Sequence, residues 1–435
     1  MKKILSLFVL FSIVFSSVII LINRDSVKAD ETPQPWKKQT ELLSVWDFEQ
    51  ITGENYNRVK PNGWYLTPNG TILLFPMLFF EDSDAGLEVF LMKSFDNGST
   101  WTEPVLFCNN HYDLGYYDPQ GKRWQMDILG IDNPYHIHED RTYVGFCYRS
   151  YQLTPTYIYM IYTEDNGETW VGINTSNHTF TKDCIDVNTQ AGSPDVYYPY
   201  SGQGIITSQG RLIYPAYRYL ETHNIQIGTW YSDDWYENGT NSTWVATPWY
   251  GASGSTNMKS EGTIVELTNG TLFRICRNRE AFGGVAHPHY AWSEDAHGNI
   301  TWTTGTDFPY FSEFVSCEET MEVKRVTLDT EYEKNRVIFI WNNDTYVGSS
   351  NQGRNTVTCA ISTDECQTWD YSRVVFEPDN VDSGFHPKVF VTANKTFIAC
   401  CYDKSLYDCC KNNTMRLSHF NIEWLSNGQD TLNQT

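Results

Sequence analysis

Hydrophobic positions in this chain fall in short runs rich in Val, Ile, Thr, Tyr and Trp, separated by turn-forming groups such as Pro68-Asn69-Gly70, Asp96-Asn97-Gly98, Asp165-Asn166-Gly167 and Asn269-Gly270. β-Branched and aromatic residues suit a pleated, half-buried surface, and Asn-Gly pairs supply the positive φ of tight turns. The pattern therefore predicts an all-β chain of short antiparallel strands and hairpins. One stretch departs from it. Met1-Lys2-Lys3 is followed by an apolar run from Ile4 to Ile22 and by Val27-Lys28-Ala29. A basic start, a hydrophobic stretch and a small-residue end predict a signal peptide over 1–29, with an uncleaved membrane anchor as the competing reading. Residues 30–435 then form a single β domain, secreted or held at the cell surface by its N-terminus.

A fixed unit recurs along that domain. Ser94-Phe95-Asp96-Asn97-Gly98-Ser99-Thr100-Trp101 is matched by Thr163-Glu164-Asp165-Asn166-Gly167-Glu168-Thr169-Trp170, and by Ser362-Thr363-Asp364-Glu365-Cys366-Gln367-Thr368-Trp369 with Cys in the glycine place. Looser copies run from Ser232 through Asp234 to Trp244 and from Ser293 through Asp295 to Trp302. The aspartate can accept bonds from turn amides, the glycine gives a positive φ, and the tryptophan anchors the turn between sheets. This octapeptide resembles the Asp box of sialidases and other propellers, where it is a structural element. Its spacing suits four-stranded blades, so five copies imply five blades. The stretch from Phe385 to about Trp424, completed by a strand from Leu42 to Phe48, supplies a sixth and leaves no open edge. The expected fold is a six-bladed β-propeller of four-stranded antiparallel blades.

Composition refines this picture. Aromatic residues make up 15% of the chain and the formal charge is −22. Such a field repels nucleic acid and anionic membranes, so an anionic ligand needs a local basic pocket. A membrane partner is expected only if the N-terminal segment stays attached. Sequons at Asn69, Asn97, Asn174, Asn177, Asn238, Asn241, Asn269, Asn299, Asn343, Asn394, Asn412 and Asn433 agree with export, as do the doublets Cys400-Cys401 and Cys409-Cys410, close enough to bridge in an oxidising compartment. Eleven cysteines leave at least one unpaired within the chain. The doublets lack zinc-site spacing, and neither a metal nor a cofactor is expected.

Further phrases carry the sialidase resemblance across nearly all of the mature chain. Tyr56-Asn57-Arg58-Val59-Lys60-Pro61 is similar to the Arg-Ile-Pro motif opening the family's catalytic domain. In blade four, Glu261 opens one strand and Arg277 closes the next, and Gly353-Arg354-Asn355 precedes the blade-five repeat. The Gly202 to Tyr217 stretch of blade three is also sialidase-like. By this resemblance Arg58, Arg277 and Arg354 form a clamp for a sugar carboxylate, with Asp132 and Asp403 as further substrate contacts. The chemistry is apt, since guanidinium pairs bidentately with carboxylate and stays charged at any working pH.

Hydrolysis also needs an acid and a nucleophile or base. On the loop before the first repeat, Asp84 fits the family's acid best, with Asp82 and Glu88 as alternatives; the arginine that the family carries there is replaced by Leu78 or a neighbour. Glu261 is the expected base or partner of the nucleophile. The family's Ser-Ala-Tyr-Ser phrase is replaced by Ser383-Gly384-Phe385-His386-Pro387, and phenylalanine cannot attack. Tyr402, His386 and Tyr346 are possible substitutes. His136/His138 and His287/His289 would each place two imidazoles on one face of an extended strand. The readings are an exo-glycosidase removing sialic acid or a related acidic sugar, a glycan-binding propeller without turnover, and a propeller hydrolase or lyase for another sugar. Sialylated or other acidic glycans are the expected partners.

Overall fold

The structure, a computed structural model, describes residues 33–435 except 54–55, 57, 80–87, 110–123, 139, 151–156, 182, 187–196, 199–202, 222–223, 239–241, 250–258, 279–286, 294, 303–310, 312–313, 315–319, 344–355, 377–384 and 403–413. At some strand ends, Glu261, Phe385 and Tyr402 among them, it describes backbone alone. The described elements lie in one unit, Pro35–Thr435.

The strands form a ring of six antiparallel blades. Blade one is Arg58–Leu66, Ile72–Phe79, Glu88–Ser94 and Val105–Asn109, paired in that order. Blade two is Trp124–Leu129, Thr142–Ser150, Tyr157–Thr163 and Ile185–Asp186. Blade three holds Gly204–Ile206, Leu212–Glu221, Asn224–Ser232 and Val245–Ala246, and Ile131–Asp132 pairs in parallel with its first strand. Blade five is Glu322–Thr327, Arg336–Asn342, Val357–Ser362 and Tyr371–Phe376.

Blade four departs from the expected four strands. It has Lys259–Glu266, Leu272–Asn278 and His289–Trp292. Among the described residues its outer strand is a bridge between Ser293 and Trp302, and the Trp302 ring lies against the Arg274 guanidinium. Blade six closes the ring with both ends of the chain: Lys37–Ser44 pairs with Thr414–Phe420, outside Phe397–Tyr402 and Phe385–Val391. The closing strand lies earlier than Leu42 to Phe48. Ser44 ends it by capping a helix, Val45–Thr52, in which the Ser44 amide reaches Asp47 Oδ2 at 2.7 Å and the Asp47 amide returns to Ser44 Oγ at 3.2 Å.

The core is distributed between blades. One cluster joins blades one, two and three, and separate clusters join blade six to one, three to four, four to five and five to six. Each blade thus buries both faces, which accounts for strands such as Ile72–Phe79 that are apolar at every position. The repeat tryptophans sit in these seams. Trp170 meets Phe75 and Phe107, and Trp369 meets Phe339 and Phe311.

The three tight octapeptide turns share one bonding scheme. Thr100, Thr169 and Thr368 each donate amide and hydroxyl to the aspartate four residues before, at 2.6–2.8 Å. Gly98 and Gly167 stand at φ 87° and 84°, and Cys366 occupies the same left-handed region at 64°. Its neighbour Glu365 binds blades together, accepting the Thr268 amide at 2.8 Å and pairing at two points with Arg325. Cys359, Cys366 and Cys400 are buried free thiols, and no disulfide joins the described cysteines; of the two doublets expected to lie close enough to bridge, Cys409-Cys410 lies outside the described residues. The sequon asparagines Asn69, Asn174, Asn177, Asn269, Asn299, Asn343, Asn394 and Asn433 are exposed. Among the described residues no helix is long and apolar enough to cross a membrane, and residues 4–22 lie outside them.

Candidate functional site

The pairing register defines two ends of the ring. Innermost strands begin at one, the opening end, and turn into the second strands at the other, as at Thr67–Thr71, Thr207–Arg211, Leu267–Thr271 and Thr392–Thr396. Third strands run back to the turn end, so the octapeptides lie there too.

Arg58 is the first residue of the blade-one inner strand, opposite Phe79. Its guanidinium carbon lies 4.9 Å from the Phe79 ring centroid and the residue is only 7% exposed. The aromatic face covers one side of the cation. Arg277 is the second-last residue of Leu272–Asn278 in blade four and is 9% exposed, at the same end. Glu261 lies near the start of the facing strand, within a register shift between Lys259 and Gly262. In blade six Phe385 pairs with Tyr402 at this end, next to another shift between Phe385 and Lys388. Such bulges re-aim side chains at the rim of a sheet.

The register therefore brings Arg58, Glu261, Arg277, Phe385 and Tyr402 to one end. Asp84, Arg354 and Asp403, with the alternatives Asp82 and Tyr346, lie outside the described residues. The strand ends that flank them, Phe79 and Glu88, Asn342 and Val357, and Tyr402 and Thr414, all belong to the opening end.

Asp132 does not join this group. It follows the inner strand of blade two and lines a cavity at the turn end with Thr67, Gln203 and Lys395. Its position past the end of that strand, rather than at its opening, carries it to the opposite side. Burial pushes its carboxyl upward, and the field of Lys324 opposes that shift.

The histidines take other places. His136 and His138 have φ of 54° and 52°, so that segment is a turn and the one-face geometry of an extended strand does not arise. His138 stacks on Tyr236 at 3.7 Å, and burial lowers its pKa against the pull of Asp140 and Glu237. His287 Nδ1 lies 2.6 Å from the Phe314 carbonyl; the side chain of His289 lies outside the described residues. His386, at φ 48°, is 9% exposed with Nδ1 3.3 Å from Thr320 Oγ1, which makes it a seam residue between blades five and six. Among the described residues no group of three or more His, Cys, Asp or Glu could hold a metal ion.

A pair not foreseen as a pair lies beside Arg58. The Tyr56 hydroxyl donates to Glu88 Oε2, with Tyr56 1% and Glu88 6% exposed. Glu88 was an alternative acid by sequence position; its bond from Tyr56 occupies the carboxylate on the buried side of blade one. The only sequence signal was proximity to Arg58, since no motif links residues 32 apart.

No family model matches the chain. A sialidase of Clostridium perfringens is 25% identical over 233 residues, covering 51% of this chain and 57% of that protein, so the match spans little more than half of the relative's length. Among solved structures, the Hadza microbial sialidase Hz136 superposes with a TM-score of 0.63 at 14% identity, covering 85% of this chain and 66% of that one. A leech intramolecular trans-sialidase gives 0.63 at 14%, covering 90% and 71%. The intramolecular trans-sialidase of Ruminococcus gnavus gives 0.60 at 15%, covering 86% and 96%. With its six blades and these likenesses, the chain is a β-propeller of the sialidase fold.

Proposed function

We propose that this propeller is an exo-glycosidase that hydrolyses a terminal carboxylate-bearing sugar, sialic acid first among them, from glycoconjugates. The observation that carries the reading is the pair of buried arginines, Arg58 from blade one and Arg277 from blade four, both at the opening end. A guanidinium stays charged at any working pH and pairs bidentately with a carboxylate, so two of them fixed at one end are suited to an acidic sugar. The Clostridium perfringens relative, a sialidase, supports the substrate class.

In the proposed reaction Arg58, Arg277 and Arg354 hold the carboxylate and so fix the ring. Asp84 donates its proton to the leaving oxygen as the glycosidic bond breaks, and Glu261 takes a proton from the attacking group. With phenylalanine at 385, that group is water or the hydroxyl of Tyr402. If Tyr402 attacks, water later cleaves the glycosyl-tyrosine bond, giving one proton to the ionised Asp84 and its hydroxyl to the sugar, while Glu261 returns the first proton to the Tyr402 oxygen. The expected result is release of fluorophore from a fluorogenic sialoside by the purified chain, with Arg277→Ala lowering kcat/KM by about 100-fold or more. Absence of turnover on several sialosides across about pH 4 to 8 refutes it. Phe385 favours a second reading, a sialoglycan-binding propeller, which predicts arginine-dependent binding on a glycan array without product.

A further inference from the structure

The cavity at the turn end has a volume of about 370 Å³, lies at the opposite end of the ring from Arg58 and Arg277, and is reached by segments of blades one, two, three, five and six. Its charges are unusual. Lys324, on the inner strand of blade five, is 3% exposed, and among the described residues its ammonium makes no hydrogen bond or ion pair; it stands 5.5 Å from the Phe390 ring centroid and borders the cavity. Asp132 borders the same space from blade two and likewise has no hydrogen-bond donor among the described residues. Lys395, in the blade-six turn, is the third such group, and its electrostatic partners are Glu331 and Asp132. Arg325 is different, since Glu365 already neutralises it at 2.7 Å.

A buried ammonium without an acceptor costs several kcal/mol, so whatever fills the cavity has to supply one. Lys324 and Lys395 face Asp132, and the second carboxylate on the wall, Glu331, is exposed to solvent, so the interior of the cavity keeps a local positive excess in a chain whose formal charge is −22. Pockets from roughly 300 Å³ upward take small-molecule ligands, so the space admits a monosaccharide as well as water. Trp64 and Phe390, stacked 5.8 Å apart, supply an apolar wall.

We propose that this cavity is a second ligand site, for a small hydroxylated oxyanion, a sugar acid or a sugar phosphate, whose acid group is held by Lys324 and Lys395 and whose hydroxyl donates to Asp132. The site is independent of the arginine end and of whether the chain hydrolyses anything.

The test is calorimetric titration of the full chain carrying Arg277→Ala, which disables the arginine end, with glucuronate, glucose 6-phosphate and neutral glucose. One-to-one saturable binding of at least one of the two anions is expected, with glucose at least tenfold weaker, and the tighter anion identifies the acid group. Adding Lys395→Met, in a half-buried tight turn and with thermal unfolding confirming that the variant is folded, weakens binding about tenfold, or 1.4 kcal/mol. Lys324→Met does the same where thermal unfolding shows it folded. No saturable binding of either anion below about 10 mM, equal binding of glucose, or anion binding unchanged by Lys395→Met overturns the proposal.

Discussion

The C-terminal tail offers a sharp test of how this ring is held together. Arg336, on the second strand of blade five, is completely buried, and its Nε and Nη2 each reach an oxygen of Asp430 at 2.8 Å; the Asp430 side chain is 2% exposed. Nη2 also donates to the Thr431 carbonyl at 2.9 Å, and Nη1 to the Lys334 carbonyl at 3.2 Å. The tail thereby clamps the Leu328–Asn335 turn, where the Thr435 amide meets the Glu331 carbonyl at 3.2 Å. Asp430→Asn keeps shape and one acceptor oxygen but leaves a buried guanidinium without its counter-charge. Removing one member of a buried pair costs about 3–5 kcal/mol, and the retained oxygen places this variant near 3. Replacing both members, Arg336→Met with Asp430→Leu, removes the stranded charge along with the pair and is expected to restore all but about 1 kcal/mol. Equilibrium denaturant unfolding with a double-mutant cycle measures both values. An Asp430→Asn cost below about 1 kcal/mol, or a double variant as unstable as the single one, refutes the reasoning, because either result means the buried charge was not what the pair compensated.

Two further outcomes follow from the turns and their acids. Gly98→Ala is expected to destabilise by about 2 kcal/mol or more, because a Cβ there would lie 2.3 Å from Ile398 Cδ1 on a backbone at φ 87°; urea unfolding reads the loss, and a neutral result contradicts the packing of turn one against blade six. At Asp96, Asp165 and Asp364 a burial cost is outweighed by hydrogen bonds from Thr100, Thr169 and Thr368, and at Asp430 by the Arg336 bonds, so all four carboxyls are held below the usual range, Asp165 at about 2. Groups depressed in the folded state contribute stability that is complete above their unfolded values of about 3.9 and fades as pH falls through the folded values. Stability measured by denaturant should hold from neutral pH to about pH 4 and drop towards pH 2, and Asp165→Asn should flatten the lower part of that drop.

Much of the ring was legible because its turns repeat. Asp-Asn-Gly with a following Thr and Trp fixes a local bond pattern that depends on few distant residues, so the octapeptides give five of the six blades and their order directly. Blade four and the closing strand were less legible. A strand boundary depends on which competitor wins, and Ser44 with Asp47 turns an apparently strand-like Leu42 to Phe48 into a helix start. Likewise His136 and His138 alternate like strand residues, yet Asn133 bonds the Ile137 amide and carbonyl at 3.0 and 2.7 Å and curls the segment into a turn.

The same contrast separates the two ends of the molecule. At the opening end, the candidate site residues Arg58 and Arg277 stand at an opening and a closing of strands, so the strand order assigns them to one side. At the turn end, Asp132, Lys324 and Lys395 sit in unlike contexts: past the end of one inner strand, inside another and in a tight turn. Nothing local distinguishes Lys395 from any turn lysine, or Lys324 from a residue of a solvated strand. What makes them a group is that rotation about the ring axis brings several blades' inner edges onto one small space, a property of closure rather than of any segment. Sites assembled by closure escape motif reading for that reason, and the clearest trace they leave is energetic: charged groups buried against an open space with no hydrogen bond among the described residues.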